Sequence, residues 1–444
     1  MITGSSGLRP QPTLLARWSI LLFLSLAMFG NYYIYDSINP VVDVFEKQLG
    51  FSNQEIGWLN SAYSVAALLT LLIGGLIVDR LGTKRSIAAF SALCLLGALL
   101  MVVEGSFTTM VIGRVILGLG AESQIVAITT AIAKWFKGKE LGFAFGVNLM
   151  IARMASVAAD NAPSWAGWAF YPNGPEAGPS WEGPMWIAVV TGVVCLVAAA
   201  FYWILERQAE TKYELGPAAE TDKIDWKNFL KFDRSFWFVV ALCFTFYSGV
   251  FPFRTFAVKF FLDTHFAGVE PETARETASF FNSLLPLSAM FATPLFGLLV
   301  DRVGKRATFM MMATLLLMPV YLIMAYSDVT LWLPVSMLGI SFSLIPAVMW
   351  PSVAYIVDQK RLGTAYALMT LVQQVGVFAM NLAIGTANDW GAAGPANPDG
   401  YSAGMWILSS LGCIGLAFAF LLRRVESGPN AHGLETIAVR AKSK

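Results

Sequence analysis

The sequence predicts an all-α membrane protein of twelve transmembrane helices in two pseudo-symmetric six-helix bundles, and three observations carry that prediction. The chain is 56% hydrophobic and only 13% charged, against roughly 25% charged residues in a typical soluble domain. Its apolar residues gather in runs of about 20, the length that crosses a bilayer as a helix, and its charges cluster between the runs. The eleven residues GLIVDRLGTKR from Gly75 to Arg85 return as GLLVDRVGKR from Gly297 to Arg306, displaced by 222 positions in a chain of 444. A repeat at half the chain length points to a duplicated bundle.

The spans follow in order. Helix 1 is expected over 17–42, preceded by a short segment bearing Arg9 and lacking a small-residue cleavage site, so it reads as an uncleaved helix. Helix 2 (55–79) ends in the repeated motif, and helices 3 (86–103), 4 (108–133), 5 (141–162) and 6 (184–205) complete a first bundle over 1–205. Residues 206–233, rich in Glu, Lys and Ala, are a linker in which an amphipathic surface helix is expected. Helices 7 (234–262), 8 (276–301), 9 (306–326), 10 (330–357), 11 (363–388) and 12 (403–423) form a second bundle over 234–424, leaving 425–444 as a tail. The stretches 163–183 and 389–402, dense in Gly, Pro and Trp, are expected to be short ordered caps.

Charge sets the orientation. Arg9 and Arg17, then Arg80, Lys84 and Arg85, then Lys134, Lys137 and Lys139, then Arg302, Lys305 and Arg306, then Lys360 and Arg361, then Arg423 and Arg424 occupy alternate connections, whereas 163–183 and 389–402 contain no Lys or Arg. By the positive-inside rule both termini face the cytoplasm. A net charge of +1 gives no field for nucleic acid. Two His and four Cys, the latter all within apolar runs, leave little for a metal or cofactor, and neither is expected. The partners implied are the lipid bilayer and a small-molecule substrate, for a chain expected to act as a monomer and not as an enzyme.

The repeated motif has its own physical logic. Asp79 and Asp301 close their helices where a carboxylate can accept hydrogen bonds from a neighbouring helix N-terminus and from arginine, a contact that can be made and broken. Gly75 and Gly297 are expected to admit a second helix closely, and Gly82 and Gly304 to make the tight turn. Gly75, Asp79, Arg80, Arg85, Gly297, Asp301, Arg302 and Arg306 are therefore gating candidates. A topology-setting role alone explains one copy better than two in register.

Charges inside the spans locate a candidate site. Glu122 lies about 21 Å along helix 4 and Arg153 about 18 Å along helix 5, at 1.5 Å per residue, so both approach the bilayer midplane. An unpaired charge at that depth costs roughly 2.5–3.5 kcal/mol or more. One reading is an ion pair that only holds the bundle together. The other is a pair lining an aqueous cavity, its charges divided between the ends of a zwitterion such as a dipeptide: Glu122 for the ammonium, Arg153 for the carboxylate through a bidentate fork.

The loop motif, together with Arg114-Val-Ile-Leu-Gly118-Leu-Gly120 in helix 4, resembles the major facilitator superfamily, which implies two bundles rocking about a central site behind a gate. The Gly-Pro pattern that family uses for drug/proton antiport in helix 5 is absent, FGVNLMIARMASVAAD standing in its place. More specifically, FGNYYIYD (29–36), GRVILGLGAES (113–123), AKWFKGKELGFAFG (133–146), ARMASV (152–157), VFPF (250–253), MWPSVAYIV (349–357) and LGTAYALM (362–369) resemble the lysosomal dipeptide transporter branch. That resemblance implies facilitated diffusion of dipeptides, with Glu122 at the peptide amino group, Arg153 at its carboxylate, and Trp350 and Tyr32 beside it.

The sequence also departs from that branch. It has a short N-terminus, short outer loops and no N-x-Ser/Thr acceptor, and reads as a bacterial plasma-membrane relative. Arg254 and Lys259 add cations that a dipeptide does not require and point toward acidic ligands. Asp36 and Asp160, toward the outer face, are rim residues or partners for Arg254, or else couple an ion. Arg114 reads as structural. Gln373, Gln374 and Asn381 line the cavity or bridge helices, and Trp350, between Pro346 and Pro351, either faces the site from a broken helix or is lipid-facing or core. The alternatives to a dipeptide uniporter are a proton-coupled symporter of organic anions, with Arg153 and Arg254 as clamp and Glu122 or Asp36 as proton carrier, and a receptor that no longer transports.

Overall fold

Helix after helix of membrane-spanning length makes up the computed structural model, which describes residues 10–136, 140–213, 231–429 and 431–438. Eleven helices are long and apolar enough to cross a membrane, and a twelfth span is formed by two pieces, 53–70 and 73–81, bent by 56°. The bend sits where Thr70 returns its hydroxyl to the carbonyls of Ala66 and Ala67 and just before Gly74 and Gly75, two features that weaken a helix locally. We number the spans α1 (Leu14–Asp36), α2 (Asn53–Leu81), α3 (Thr83–Val102), α4 (Phe107–Phe136), α5 (Leu141–Asp160), α6 (Glu182–Lys212), α7 (Arg234–Thr264), α8 (Pro271–Val303), α9 (Arg306–Tyr326), α10 (Trp332–Ile356), α11 (Leu362–Trp390) and α12 (Ser402–Glu426). Among the described residues the β structure is one isolated bridge, Gly394 to Asn397.

Packing repeats with the sequence. In the first half α1 packs on α5 and α6, α2 on α4, and α3 on α4 and α6; in the second half α7 packs on α11 and α12, α8 on α10, and α9 on α10 and α12. Each contact recurs six helices later. The halves meet along α2 with α11 and α5 with α8, which are again symmetry equivalents. Two pseudo-symmetric bundles thus emerge from pairings as well as from the repeated motif.

Most helix ends fall within a few residues of expectation, and two do not. The first helix stops at Asp36, after which short tight turns carry the chain to Leu49. Helix α6 continues to Lys212 instead of ending at 205. The buried carboxylate of Glu206 explains the extension: Lys134 Nζ at 2.7 Å, Trp135 Nε1 at 3.0 Å and the Thr83 hydroxyl at 3.1 Å all reach it. The remainder of the expected linker with its surface helix, 214–230, lies outside the described residues, as do Lys137 and Lys139.

The tail is also ordered where it is described. Its Glu435 carboxylate accepts from the Thr308 backbone N–H and hydroxyl at 2.7 and 2.8 Å, capping the start of α9, while Leu434 is fully buried. The carboxylate of Glu426 meets the Ser235 hydroxyl at 2.5 Å and the His432 ring at 2.9 Å. These bonds hold the described part of the tail against the starts of α9 and α7.

Glycine placement corrects one expectation. A Cβ at Gly297 would meet nothing within 4 Å among the described residues, so no helix presses on it in this conformation. The close approach between halves occurs instead on the opposite face, where a Cβ at Gly385 would lie 2.4 Å from the Asn53 carbonyl and one at Gly57 2.4 Å from the Asn381 carbonyl. Gly82 and Gly304, with φ of 76° and 72°, do make the turns expected of them. Gly385→Ala is therefore expected to lower stability by about 1–3 kcal/mol through overpacking, and Gly297→Ala by far less; thermal unfolding of the two purified variants in detergent checks the ranking.

Candidate functional site

A cavity of about 230 Å³ lies between the halves, and the helices that meet there each contribute side chains. Tyr32, Tyr35 and Asp36 come from α1, Tyr63 from α2, Glu122 from α4, Arg153 and Ser156 from α5, Tyr247, Phe251 and Arg254 from α7, Trp350 from α10, and Gln373 and Gln374 from α11. The five residues singled out as substrate-binding candidates, Glu122, Arg153, Trp350, Tyr32 and Gln374, thus line one space.

Glu122 and Arg153 do not pair with one another within 4.0 Å, the reach of a salt bridge. Tyr63 donates its hydroxyl to Glu122 Oε1 at 2.9 Å, leaving the second carboxylate oxygen uncommitted. Arg153 makes no hydrogen bond or ion pair among the described residues; its guanidinium lies 5.7 Å from the ring centre of Phe342, across the cavity on α10 of the other half. The purely structural ion pair that the sequence allowed is not what the structure has. An acid and a base share a cavity with their charges available to a third party.

Aromatic residues set the walls. Trp350 Nε1 donates to the Tyr247 hydroxyl at 2.9 Å, and its ring centre lies 5.9 Å from that of Tyr366. Tyr35 and Tyr63 meet edge to face at 4.6 Å. Beneath them, fully buried Arg114 donates to the carbonyls of Leu59 at 3.1 Å and Tyr35 at 3.0 Å and to the Asn60 amide oxygen, with its guanidinium 5.0 Å from the Tyr35 ring and 5.6 Å from the Tyr63 ring. It ties α1 and α2 to α4, a structural role. Asn31 and Gln124 extend this polar layer: Asn31 Nδ2 donates to Gln124 Oε1 at 3.1 Å, and Gln124 Nε2 to Ser91 at 2.6 Å.

The wall toward the face opposite the termini is a sealed charge cluster. Arg254, 3% exposed, is 3.2 Å from Asp36 and 2.9 Å from Asp160. Asn39 and Asn282 each donate to Asp160 Oδ1 at 3.0 Å. Asp36 and Asp160 are buried, so they are the partners of Arg254 and not rim residues. Lys259 is likewise spoken for, by Glu46 at 3.0 Å and Asn53 Oδ1 at 2.9 Å. The two cations that suggested an acidic ligand are neutralised by the protein.

The same face carries the contacts that join the halves. The Asp389 carboxylate at the end of α11 accepts from the backbone N–H groups of Asn53 and Gln54 at 2.8 Å each, supplying the start of α2 with a cap from the other bundle. Arg275 holds Asp43 through two bonds of 2.7 Å, and Asn60 donates to Thr255 at 2.8 Å. Asn381, which the sequence left between two roles, accepts from Thr255 at 3.0 Å and bridges helices, whereas Gln373 and Gln374 face the cavity.

On the face that carries the termini the gating candidates Asp79, Arg80, Arg85, Asp301 and Arg302 are exposed and Gly75 is half-buried. Arg306 is the exception: 1% exposed, it donates to Asp301 at 2.8 Å, the Tyr355 hydroxyl at 3.0 Å and the Ile437 carbonyl at 2.7 Å. The two copies of the motif therefore differ in their last arginine, Arg306 being enclosed within its own bundle and by the tail and Arg85 exposed.

Sequence reading passed over Tyr63, Tyr247, Phe251 and Ser156. Their signal is spacing: Tyr247, Phe251 and Arg254 recur at intervals of four and three on α7, Tyr35 and Asp36 follow Tyr32 by three and four on α1, and Ser156 follows Arg153 by three. Residues so spaced share one face of a helix.

With this geometry in view, comparison with known proteins is informative. The family model described as Major Facilitator Superfamily matches residues 24–380. The lysosomal dipeptide transporter MFSD1 of Danio rerio is 30% identical over 384 residues, covering 85% of this chain and 81% of that protein. Its Homo sapiens counterpart is 29% identical over 388 residues, covering 85% and 82%. Among solved structures, a bacterial homolog to the human lysosomal transporter Spinster in an inward-facing, unoccupied conformation superimposes with a TM-score of 0.71 at 17% identity, over 97% of this chain and 100% of that one. Its inward-facing, occupied form gives 0.68 at 18% identity, over 93% and 98%.

Removing one partner from a buried charge cluster leaves the others uncompensated, at about 3–5 kcal/mol. Arg254→Ala, which strands Asp36 and Asp160 beside each other, is therefore expected to be among the most destabilising single changes at the cavity. Arg153→Ala, whose guanidinium makes no hydrogen bond or ion pair among the described residues, should leave ligand-free stability nearly unchanged; thermal unfolding of both variants without ligand measures the contrast.

Proposed function

The chain belongs to the major facilitator superfamily and is a multi-pass membrane transporter, and from that premise we propose that its cargo is a dipeptide, bound with its ammonium at Glu122 and its carboxylate at Arg153. The observation that carries this reading is that both charges line one cavity without pairing with one another. A zwitterion brings the missing partner for each. A simple anion would satisfy Arg153 and leave Glu122 facing it, while Arg254, the second cation a dicarboxylate clamp needs, is bound by Asp36 and Asp160. The similarity to transporters named for dipeptides extends over most of the chain and supports the same cargo.

Side-chain tolerance follows from the walls. Tyr32, Tyr247, Phe251 and Trp350 offer aromatic surface, and Gln373 and Gln374 offer amides that can donate or accept. Recognition is concentrated on the two termini, and the peptide side chains meet surfaces that do not discriminate sharply. A bound zwitterion adds no net charge to the cavity, so its passage needs no accompanying ion, which is our reason for assigning uniport. Movement is by alternating access. The face bearing the termini, with Arg80, Arg85, Arg302 and Lys305 exposed on it, is the cytoplasmic one by the positive-inside rule, and we assign the chain to a bacterial plasma membrane as a monomer. The Asp79 and Asp301 motifs serve as the gate on that face.

Glu122→Gln and Arg153→Ala are each expected to weaken dipeptide binding by about a hundredfold or more, the scale for removing one member of a desolvated charge pair, and to abolish exchange of labelled dipeptide across liposomes. A thermal-shift screen of dipeptides, single amino acids and dicarboxylates on the purified protein provides the first measurement. Stabilisation by dicarboxylates alone would overturn the cargo, and a strict requirement for a pH gradient in liposome uptake would overturn uniport.

A further inference from the structure

We propose that Ser156 and Tyr247 complete, with Arg153, a three-donor subsite for the ligand's carboxylate. The proposal rests on the dipeptide reading above and adds two residues, one from each bundle, that the sequence did not single out. It begins from hydrogen-bond donors lining the cavity that no protein acceptor uses.

Ser156 is 1% exposed, lines the cavity, and its hydroxyl has no hydrogen-bond partner. Ser86, Ser248 and Ser279 are likewise buried with no partner for their hydroxyls, but of the four only Ser156 lines the cavity. A helical serine or threonine in an apolar setting commonly returns its hydroxyl to the carbonyl one turn back, as Ser91 does to Ile87 at 2.8 Å, Ser352 to Val348 at 2.7 Å and Thr245 to Ala241 at 3.0 Å. Thr370, which also lines the cavity, is spent in the same way on Tyr366 at 3.0 Å. The Ser156 hydroxyl is left over, and a buried hydroxyl without a partner carries a desolvation cost that a ligand acceptor can relieve. Three residues before it on the same helix face stands Arg153, whose guanidinium is also unbonded.

Tyr247 contributes from the other side. Its phenol oxygen accepts from Trp350 Nε1 at 2.9 Å, which uses one acceptor site and leaves the O–H hydrogen to be donated. No acceptor for that hydrogen exists among the described residues, and the side chain lines the same cavity. The wall behind it connects to Arg153 through aromatic rings: Tyr247 to Phe251 at 5.7 Å, Phe251 to Phe342 at 6.2 Å, and Phe342 beneath the Arg153 guanidinium at 5.7 Å. Arg153 and Ser156 belong to the first bundle and Tyr247 to the second, so a carboxylate accepting from all three spans the boundary that moves in alternating access.

The assignment also explains why Trp350 faces the site. Its indole N–H fixes the Tyr247 phenol with its oxygen already accepting, which leaves the O–H proton for the ligand. A carboxylate, with two oxygens and four lone-pair positions, is the acceptor that can take a guanidinium fork, a serine hydroxyl and a phenol together. A C-terminal amide is neutral and cannot.

The test compares alanyl-alanine with its C-terminal amide on purified full-length protein, reading affinity by thermal shift for wild type, Ser156→Ala, Tyr247→Phe and Arg153→Ala. The wild type should prefer the free acid, and Ser156→Ala and Tyr247→Phe should each weaken acid binding about tenfold, the effect of losing one hydrogen bond to a charged group, with amide binding unchanged. A merely structural role would depress both ligands equally. If either variant keeps the wild-type preference while Arg153→Ala loses it, the three-donor subsite is overturned and the dipeptide reading stands. If Arg153→Ala itself keeps the preference, the carboxylate assignment on which the proposal rests is what fails.

Discussion

A charge carried into the interior of a bilayer must be given a partner, and the placement of polar residues throughout this protein follows from that constraint. Arg114 spends its guanidinium on carbonyls and an amide, Arg254 on two aspartates, Lys259 on Glu46 and Asn53, Arg275 on Asp43, and Arg306 on Asp301 with two neutral oxygens. Each is buried, and each is answered by groups that come from a different helix or loop. Glu122 and Arg153 stand apart because they line the central cavity and form no ion pair among the described residues. The same physics that makes the first group structural makes the second a candidate binding site.

Symmetry and its loss divide the labour. The helix pairings recur six helices apart, and both copies of the loop motif turn on a glycine at positive φ. At the site the copies have diverged: the position 222 residues beyond Glu122 is Leu344, which is buried in apolar core. Even the motif copies have separated in use, since Arg306 is enclosed by Tyr355 and the tail while Arg85 is exposed. A duplicated scaffold gives two bodies that move alike, and only unpaired differences between them give the cavity a direction and a chemistry.

Legibility in the sequence tracks the range of the interaction involved. Helix count and most helix ends could be read because a 20-residue apolar run bounded by charges is a local pattern. The end of α6 could not, because the Glu206 carboxylate that extends it is held by Lys134, Trp135 and Thr83 from two other helices. Glu122 and Arg153 were visible as isolated charges at midspan, yet whether they met was a question of three-dimensional separation. Arg254 was left between an acidic ligand and the partners Asp36 and Asp160 for the same reason: those partners lie 218 and 94 positions away along the chain. Ser156 and Tyr247 carry no charge and sit in runs of similar residues, so their meaning appears only once the bonds they do not make can be counted.

The seam opposite the termini is polar, and that is what makes it reversible. A purely apolar seal of the same extent would expose hydrocarbon surface to water on opening, at roughly 25 cal/mol for every Å². Asp389 on the backbone of Asn53 and Gln54, Arg275 on Asp43 and Asn60 on Thr255 exchange protein partners for water instead, at about 0.5–1.5 kcal/mol for a neutral bond and about 1.5–3 kcal/mol for one to a charged group. Glycines at 57 and 385 bring the backbones close enough for these bonds to form without a thick apolar filling between them. Asp36 and Arg254 belong both to this seam and to the cavity wall, so a ligand in the cavity lies against the bonds that must break for the far face to open. The site and the seal are one polar surface seen from two sides, and a transporter built this way needs no separate element to connect occupancy with movement.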